Sequence, residues 1–101
     1  ATGAEISFQS FAPGTQTGFL HAHRSHEELY LFISGSGEFQ VDGRVFPVSE
    51  GSAVRVAPAG RRSVRNTSSE PLVMICVQYK ADSFTAEDAA DGVLFTETVV
   101  W

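Results

Sequence analysis

The residues best suited to chemistry lie in one short stretch, His21-Ala22-His23-Arg24-Ser25-His26-Glu27-Glu28. Residues i and i+2 of a β-strand project to the same face. A strand over Phe19–His23 therefore places His21 and His23 side by side, roughly 7 Å apart at the backbone. A short polar loop carrying a solvated His26 follows, and Glu28 opens the next apolar run. Where those two strands pair, Glu28 comes up beside both imidazoles. Two neutral imidazoles and one carboxylate on one face form a set that holds a divalent transition metal (Mn, Fe, Ni or Zn) and leaves positions open on it. Glu27 is the alternative acid, because a one-residue slip in register turns it inward in place of Glu28.

These side chains need a scaffold of short strands. Pro13–Gly14, Gly35–Ser36–Gly37, Asp42–Gly43, Glu50–Gly51, Pro58–Ala59–Gly60 and Ser68–Ser69–Glu70–Pro71 are turn signals at short intervals. Between them lie segments rich in Val, Ile, Phe and Tyr that read as strands: Glu5–Phe11, Phe19–His23, Glu28–Ser34, Glu38–Val41, Arg44–Val48, Ala53–Ala57, Arg62–Thr67, Leu72–Tyr79 and Leu94–Val100. Asp42–Gly43 predicts a two-residue hairpin turn with positive φ at both positions. Only Thr85–Asp91 reads as helical, with Gly92 as its stop. About nine short strands with regular turns predict an all-β sandwich or closed barrel.

By alternation Tyr30, Phe32, Phe39, Val41, Met74 and Gln78 face the interior, and Tyr30 and Gln78 carry the polar groups expected to contact a ligand. Leu72–Tyr79 is apolar almost throughout, so both its faces are expected to be covered, one by the interior and one by a second sheet or a homodimer partner. The closing segment Val93–Trp101 reads as an outer strand that packs across such a dimer.

The chain has 101 residues, which is one domain. Its core is expected over about residues 6–79, with 80–101 as a C-terminal extension. A net charge of −5 disfavours nucleic acid and anionic membranes as partners. No apolar run approaches the roughly 20 residues of a membrane span. No N-terminal stretch reads as a signal peptide, and the start at Ala1 is expected to reflect trimming of a slightly longer chain. Cys76, the single cysteine, cannot form an internal disulfide. It reads as a small buried hydrophobe, in keeping with a reducing, cytoplasmic setting.

The order His21-x-His23-x4-Glu28-x6-Gly35 resembles the first motif of the cupin superfamily. Gly51-x6-Pro58-Ala59-Gly60 followed by Asn66 resembles its second motif, with the Asp42–Gly43 hairpin between them. The resemblance spans about Ile6 to Gln78, and the nearest likeness is to small single-domain, uncharacterised or sugar-phosphate-isomerase-like members. It implies a jelly-roll β-barrel (double-stranded β-helix) with a site in its lumen. It also implies a further metal-binding histidine four residues before the asparagine. Counted back from Asn66 that slot holds Arg62, and counted forward from Gly60 it holds Ser63.

Neither residue is an ordinary metal ligand, and a guanidinium there repels a cation. Arg62 belongs to a basic cluster with Arg61 and Arg65, which alone reads as a solvated strand edge or a set of ion pairs. Pointing inward, Arg62 would grip the carboxylate or phosphate of a small-molecule ligand. Alternatively it would pair with Glu28, replacing the metal by a salt bridge. Two functions follow as expectations. One is a metal-dependent isomerase or dioxygenase-like enzyme. The other is a non-catalytic module for a sugar or sugar acid, with a degenerate metal site.

Overall fold

A computed structural model describes every residue from Ala1 to Trp101. The chain forms seven strands: β1 (Ala4–Phe11), β2 (His26–Ser34), β3 (Ser36–Val41), β4 (Arg44–Ser49), β5 (Ala53–Val56), β6 (Arg62–Arg65) and β7 (Leu72–Lys80). One helical turn follows, α1 (Ala86–Ala89), started by a reciprocal cap between Thr85 and Asp88. The strands pair antiparallel in two sheets, β1-β7-β2-β5 and β4-β3-β6. No helix is long and apolar enough to cross a membrane.

Strand alternation builds the core. Tyr30 and Phe32 from β2, Phe39 from β3 and Leu72, Met74 and Cys76 from β7 join Val48, Val56 and Val64 in one buried cluster. Tyr30 stands opposite Cys76 on one side and Val54 on the other, and Glu28 stands opposite Gln78 and Val56. The expected hairpin turn is present: Asp42 and Gly43 both have positive φ, at 50° and 80°. This turn matches the twist of β3 and β4.

Three expectations are corrected. Phe19–His23 is not a continuous strand. Gln16 bridges Arg65 and His21 bridges Arg62, so five residue steps on one side face three on the other. The surplus is thrown out as a loop through Gly18 (φ 78°), which leaves Phe19 and Leu20 exposed. Leu94–Val100 is not a strand either: it has no neighbour to satisfy its backbone groups, and Val93, Leu94, Phe95, Val99, Val100 and Trp101 are all exposed. Finally, the strands number seven rather than eight or nine, and their hydrogen bonds form two sheets without closing a barrel.

The buried amide of Asn66 fastens the turn between β6 and β7. Its Nδ2 donates to the Phe11 carbonyl at 3.0 Å and the Glu70 carbonyl at 2.7 Å, while its Oδ1 accepts from the Ser68 N–H at 2.9 Å. Nearby, Gly35 (φ 84°) lies against the Pro71 carbonyl so closely that a Cβ would collide with it. Truncating Asn66 to alanine takes their side-chain partner from the Phe11 carbonyl and the Ser68 N–H, each worth about 1–3 kcal/mol when unsatisfied. Asn66→Ala is therefore expected to lose about 2–4 kcal/mol in urea unfolding, with an unchanged m-value. A loss under about 0.5 kcal/mol would contradict this role.

Candidate metal and ligand site

The site is built around one carboxylate. Glu28 is the third residue of β2, points inward and is 5% exposed. A charge placed there needs donors, and four segments supply them. Within β2, the Tyr30 hydroxyl donates to Oε1 at 2.7 Å. From β6, Arg62 Nη1 donates to the same oxygen at 2.7 Å. From β7, the Cys76 thiol reaches Oε2 at 3.1 Å. From the segment before β2, His21 Nε2 lies 3.1 Å from Oε1 in hydrogen-bonding geometry.

His21 is held by backbone bonds in both directions with Arg62, at 3.2 and 2.9 Å, and His23 by its N–H on the Pro58 carbonyl at 2.8 Å. The two imidazoles meet edge to face with centroids 5.3 Å apart. His23 Nε2 lies 3.2 Å from Oε1, yet it is buried without a hydrogen-bond partner. His21 Nδ1 and Arg62 Nε are likewise buried and unpartnered.

These contacts set the protonation of the cluster. Burial pushes the Glu28 carboxyl up, but the hydrogen bonds from Tyr30, Cys76 and His21 and the charge of His23 outweigh it and hold the group at about 2. Burial, reinforced by the Glu28 carboxylate, pushes the Cys76 thiol up to about 12 and raises the Tyr30 hydroxyl as well. Glu28 is thus an acceptor, and Tyr30 and Cys76 are donors, throughout the neutral range.

The donor set fits a metal ion. Ligands in neighbouring positions on an ion, with bonds of about 2.1 Å, stand about 3 Å apart. The two histidine Nε2 atoms lie at 3.1 and 3.2 Å from Oε1, and the ligating atoms of His21, His23 and Glu28 fall within 4.8 Å of one another. The unpartnered Nε2 of His23 is the atom that a metal would satisfy. Arg62 opposes the ion, since its guanidinium touches the same carboxylate oxygen and is 1% exposed.

A cavity of about 230 Å³ opens beside this cluster, lined on the β1 side by Glu5, Ser7 and Gln9 and elsewhere by Thr17, Phe19 and Gln78. Tyr30 and Arg62 line it too, with their polar ends turned to Glu28; Arg62 Nη2 also donates to the Ala57 carbonyl at 2.7 Å. Gln78 Oε1 accepts from His26 Nδ1 at 2.7 Å. Of the two positions weighed for the fourth ligand slot, Arg62 abuts Glu28, whereas the Ser63 hydroxyl bonds Thr17 at 2.6 Å.

Glu27 faces outward to Arg55 at 2.7 Å, so no register slip has occurred. Arg65 pairs with Glu38 at 2.6 Å, and His26 is exposed at the start of β2 rather than in a loop. Sequence reasoning missed two contributions. Cys76 was assigned to packing alone, although it shares the inward alternation of Met74 and Gln78. The wall formed by β1 carries no motif, and only its register with β7 (Ser7 opposite Cys76, Glu5 opposite Gln78) brings it to the cavity.

Residues 7–78 match the family model described as "Cupin domain". A solved cupin protein from Bacteroides fragilis superposes with a TM-score of 0.89 at 35% identity, covering 94% of this chain and 80% of that one. A structure from Thermotoga maritima described as a "predicted oxalate decarboxylase" gives a TM-score of 0.74 at 25% identity, covering 78% of this chain and 69% of that one. An uncharacterised protein of Methanocaldococcus jannaschii is 27% identical over 71 residues, 70% of this chain. The match spans 57% of that relative's length. The family match over most of the chain, with a fold shared by cupins of known structure, shows that this protein belongs to the cupin domain family.

Proposed function

We propose that this cupin holds a divalent transition metal through His21, His23 and Glu28 and binds a small oxygenated ligand beside it. The observation that carries the reading is the convergence of both Nε2 atoms on Glu28 Oε1, with His23 Nε2 buried and unpartnered. A buried nitrogen without a partner costs about 1–3 kcal/mol, and coordination removes that penalty. A bound metal supplies Lewis-acid polarisation, the chemistry that an isomerase or dioxygenase-like activity would use.

The cavity wall favours hydroxyl-bearing ligands. Ser7, Gln9, Thr17 and Gln78 offer hydroxyl and amide groups, and the Arg62 charge is already matched by Glu28. A sugar, or a sugar acid whose carboxylate joins the metal, suits these walls better than a free phosphate does. A single free cysteine accords with a reducing, cytoplasmic setting.

Arg62 favours a second reading. Its 2.7 Å contact with Glu28, beside the donors Tyr30, His21 and Cys76, satisfies the carboxylate without an ion. In that case the site is a metal-free binding module. Charge arithmetic places the two readings close together. A divalent ion about 4 Å from a unit positive charge is repelled by about 8 kcal/mol at an effective dielectric of 20. A complete structural zinc set supplies roughly 10–16 kcal/mol.

Protein purified without chelator is expected to carry a first-row transition metal, measured by elemental analysis, and to gain heat stability on addition of Mn, Fe, Ni or Zn. His21→Ala and His23→Ala should each abolish both effects. Metal-free protein with no such gain would establish the second reading.

Replacing the opposing cation by a ligand, Arg62→His, should tighten metal binding at least tenfold by calorimetric titration. An equal or weaker affinity would remove Arg62 from the fourth position.

The acid limb provides a metal-independent check in the presence of chelator. Because folding depresses the Glu28 pKa, its ionisation stabilises the fold fully above about pH 4.5, the unfolded value, and that contribution fades as the pH falls toward 2. Glu28→Gln should flatten the stability profile across that window. A variant retaining the full slope would place the acid sensitivity elsewhere.

A further inference from the structure

The inward face of the four-stranded sheet carries a polar row that the histidine cluster does not use up. Glu5, Gln78 and Glu28 lie in register across β1, β7 and β2. All three line the cavity of about 230 Å³. Neighbouring strands run about 4.8 Å apart, so the two acids stand about 10 Å from each other at the backbone. Glu28 is buried at one end of the row, and Glu5 is exposed at the other. The row therefore runs from the cavity floor to its rim. Ser7, Cys76 and Tyr30 form the row beside it.

The groups at the rim are unspent. Arg62 matches Glu28 at 2.7 Å, while Arg55 and Arg65 pair with Glu27 and Glu38. Glu5 enters no ion pair, although Lys80 lies only two residues beyond its cross-strand neighbour Gln78. Glu5, Glu28 and Arg62 are the only Asp, Glu, Lys or Arg residues of the lining, which leaves it one net negative charge. Gln78 Oε1 is taken by His26 Nδ1, so the amide has its Nε2 donors to offer. Gln9 Nε2 donates to the Ser7 oxygen at 2.9 Å, so Ser7 has its O–H to offer. The rim thus presents a charged acceptor beside neutral donors.

We propose that this rim is a subsite for a protonated amine, so that the cavity takes an amine-bearing sugar or polyol, with its ammonium on Glu5 and its hydroxyls on Ser7 and Gln78. This deepens the reading of the cavity as a site for a small oxygenated ligand and rests on it. An ammonium group has three N–H donors and no acceptor. It answers a carboxylate in charge and in hydrogen bonding at once. Hydroxyl oxygens of the same ligand accept from the Ser7 O–H and the Gln78 amide. A carboxylate or phosphate at this end is repelled by Glu5 and finds no unpaired cation in the wall. The other end of the ligand meets the cluster of His21, His23 and Glu28. Glu5 therefore fixes both the charge of the ligand and the direction in which it enters.

Titrations at pH 7 with D-glucosamine, whose amine is protonated there, and with D-glucose test the subsite, followed by protein NMR. D-glucosamine is expected to bind about fivefold more tightly, the scale of a partly exposed ion pair, and to shift the Ser7 and Gln78 signals. The preference should shrink as salt is raised, because exposed charges are screened. Glu5→Gln should bring the two affinities together, and Glu5→Ala serves the same purpose should the amide variant fail to fold. Glu50→Gln removes an exposed charge outside the cavity and should keep the preference; its loss there would assign the effect to net charge and overturn the proposal. Equal affinities in the unaltered chain, or a preference that survives both Glu5 substitutions, overturn the subsite and leave the cavity standing as a sugar site. No binding of either sugar at about 50 mM overturns the subsite and the sugar-site reading together.

Discussion

A carboxylate buried inside a small β-protein organises this molecule. Isolated, the charge on Glu28 would cost several kcal/mol. It is tolerated because every surrounding element sends it a donor: Tyr30 from its own strand, Arg62 from β6, Cys76 from β7 and His21 from the segment before β2. Arg62 lies in the other sheet. The ion pair therefore ties the two layers together where a purely apolar contact would impose no orientation.

Arg62 has a double effect. Removing one member of a buried pair leaves the other uncompensated, so Arg62 secures the ionised state of Glu28. Its positive charge also stands where an incoming cation would feel it. The two histidines meet Glu28 at distances that suit coordination, and one of them keeps an unpartnered nitrogen. Arg62 and an ion held by the two histidines would compete for the same carboxylate oxygen.

The four-stranded sheet separates two kinds of surface by alternation alone. Inward positions on β1, β7 and β2 carry Ser7, Gln9, Cys76, Gln78, Glu28 and Tyr30, which line the cavity. The intervening positions carry Ile6, Phe8, Ile75, Val77, Leu29 and Leu31, which face outward. Because the side-chain period is two residues, neither face can be changed by a register slip without losing the other. This accounts for β7 being apolar on both sides without being buried on both sides within one chain.

The cupin motif residues, the Asp42–Gly43 turn, the inward face of β2 and a helical turn after Thr85 were all legible in the sequence, because each depends on local composition, spacing or the strand period, although the helix ends at Ala89, before the Gly92 expected to stop it. The inward placement of Glu28 rather than Glu27 was legible for the same reason. The path from Phe19 to His23 was not, since its two surplus residues appear only once Gln16 and His21 are paired with Arg65 and Arg62. Nor was the fate of Leu94–Val100: its composition favours a strand, but a strand exists only beside another, and the fold provides none within the chain. Only the tertiary structure could decide that Arg62 rather than Ser63 abuts Glu28, and that Cys76 donates to it. Those contacts join residues 34 and 48 positions apart in the chain. Their geometry is set by how the two sheets pack, which no local pattern encodes.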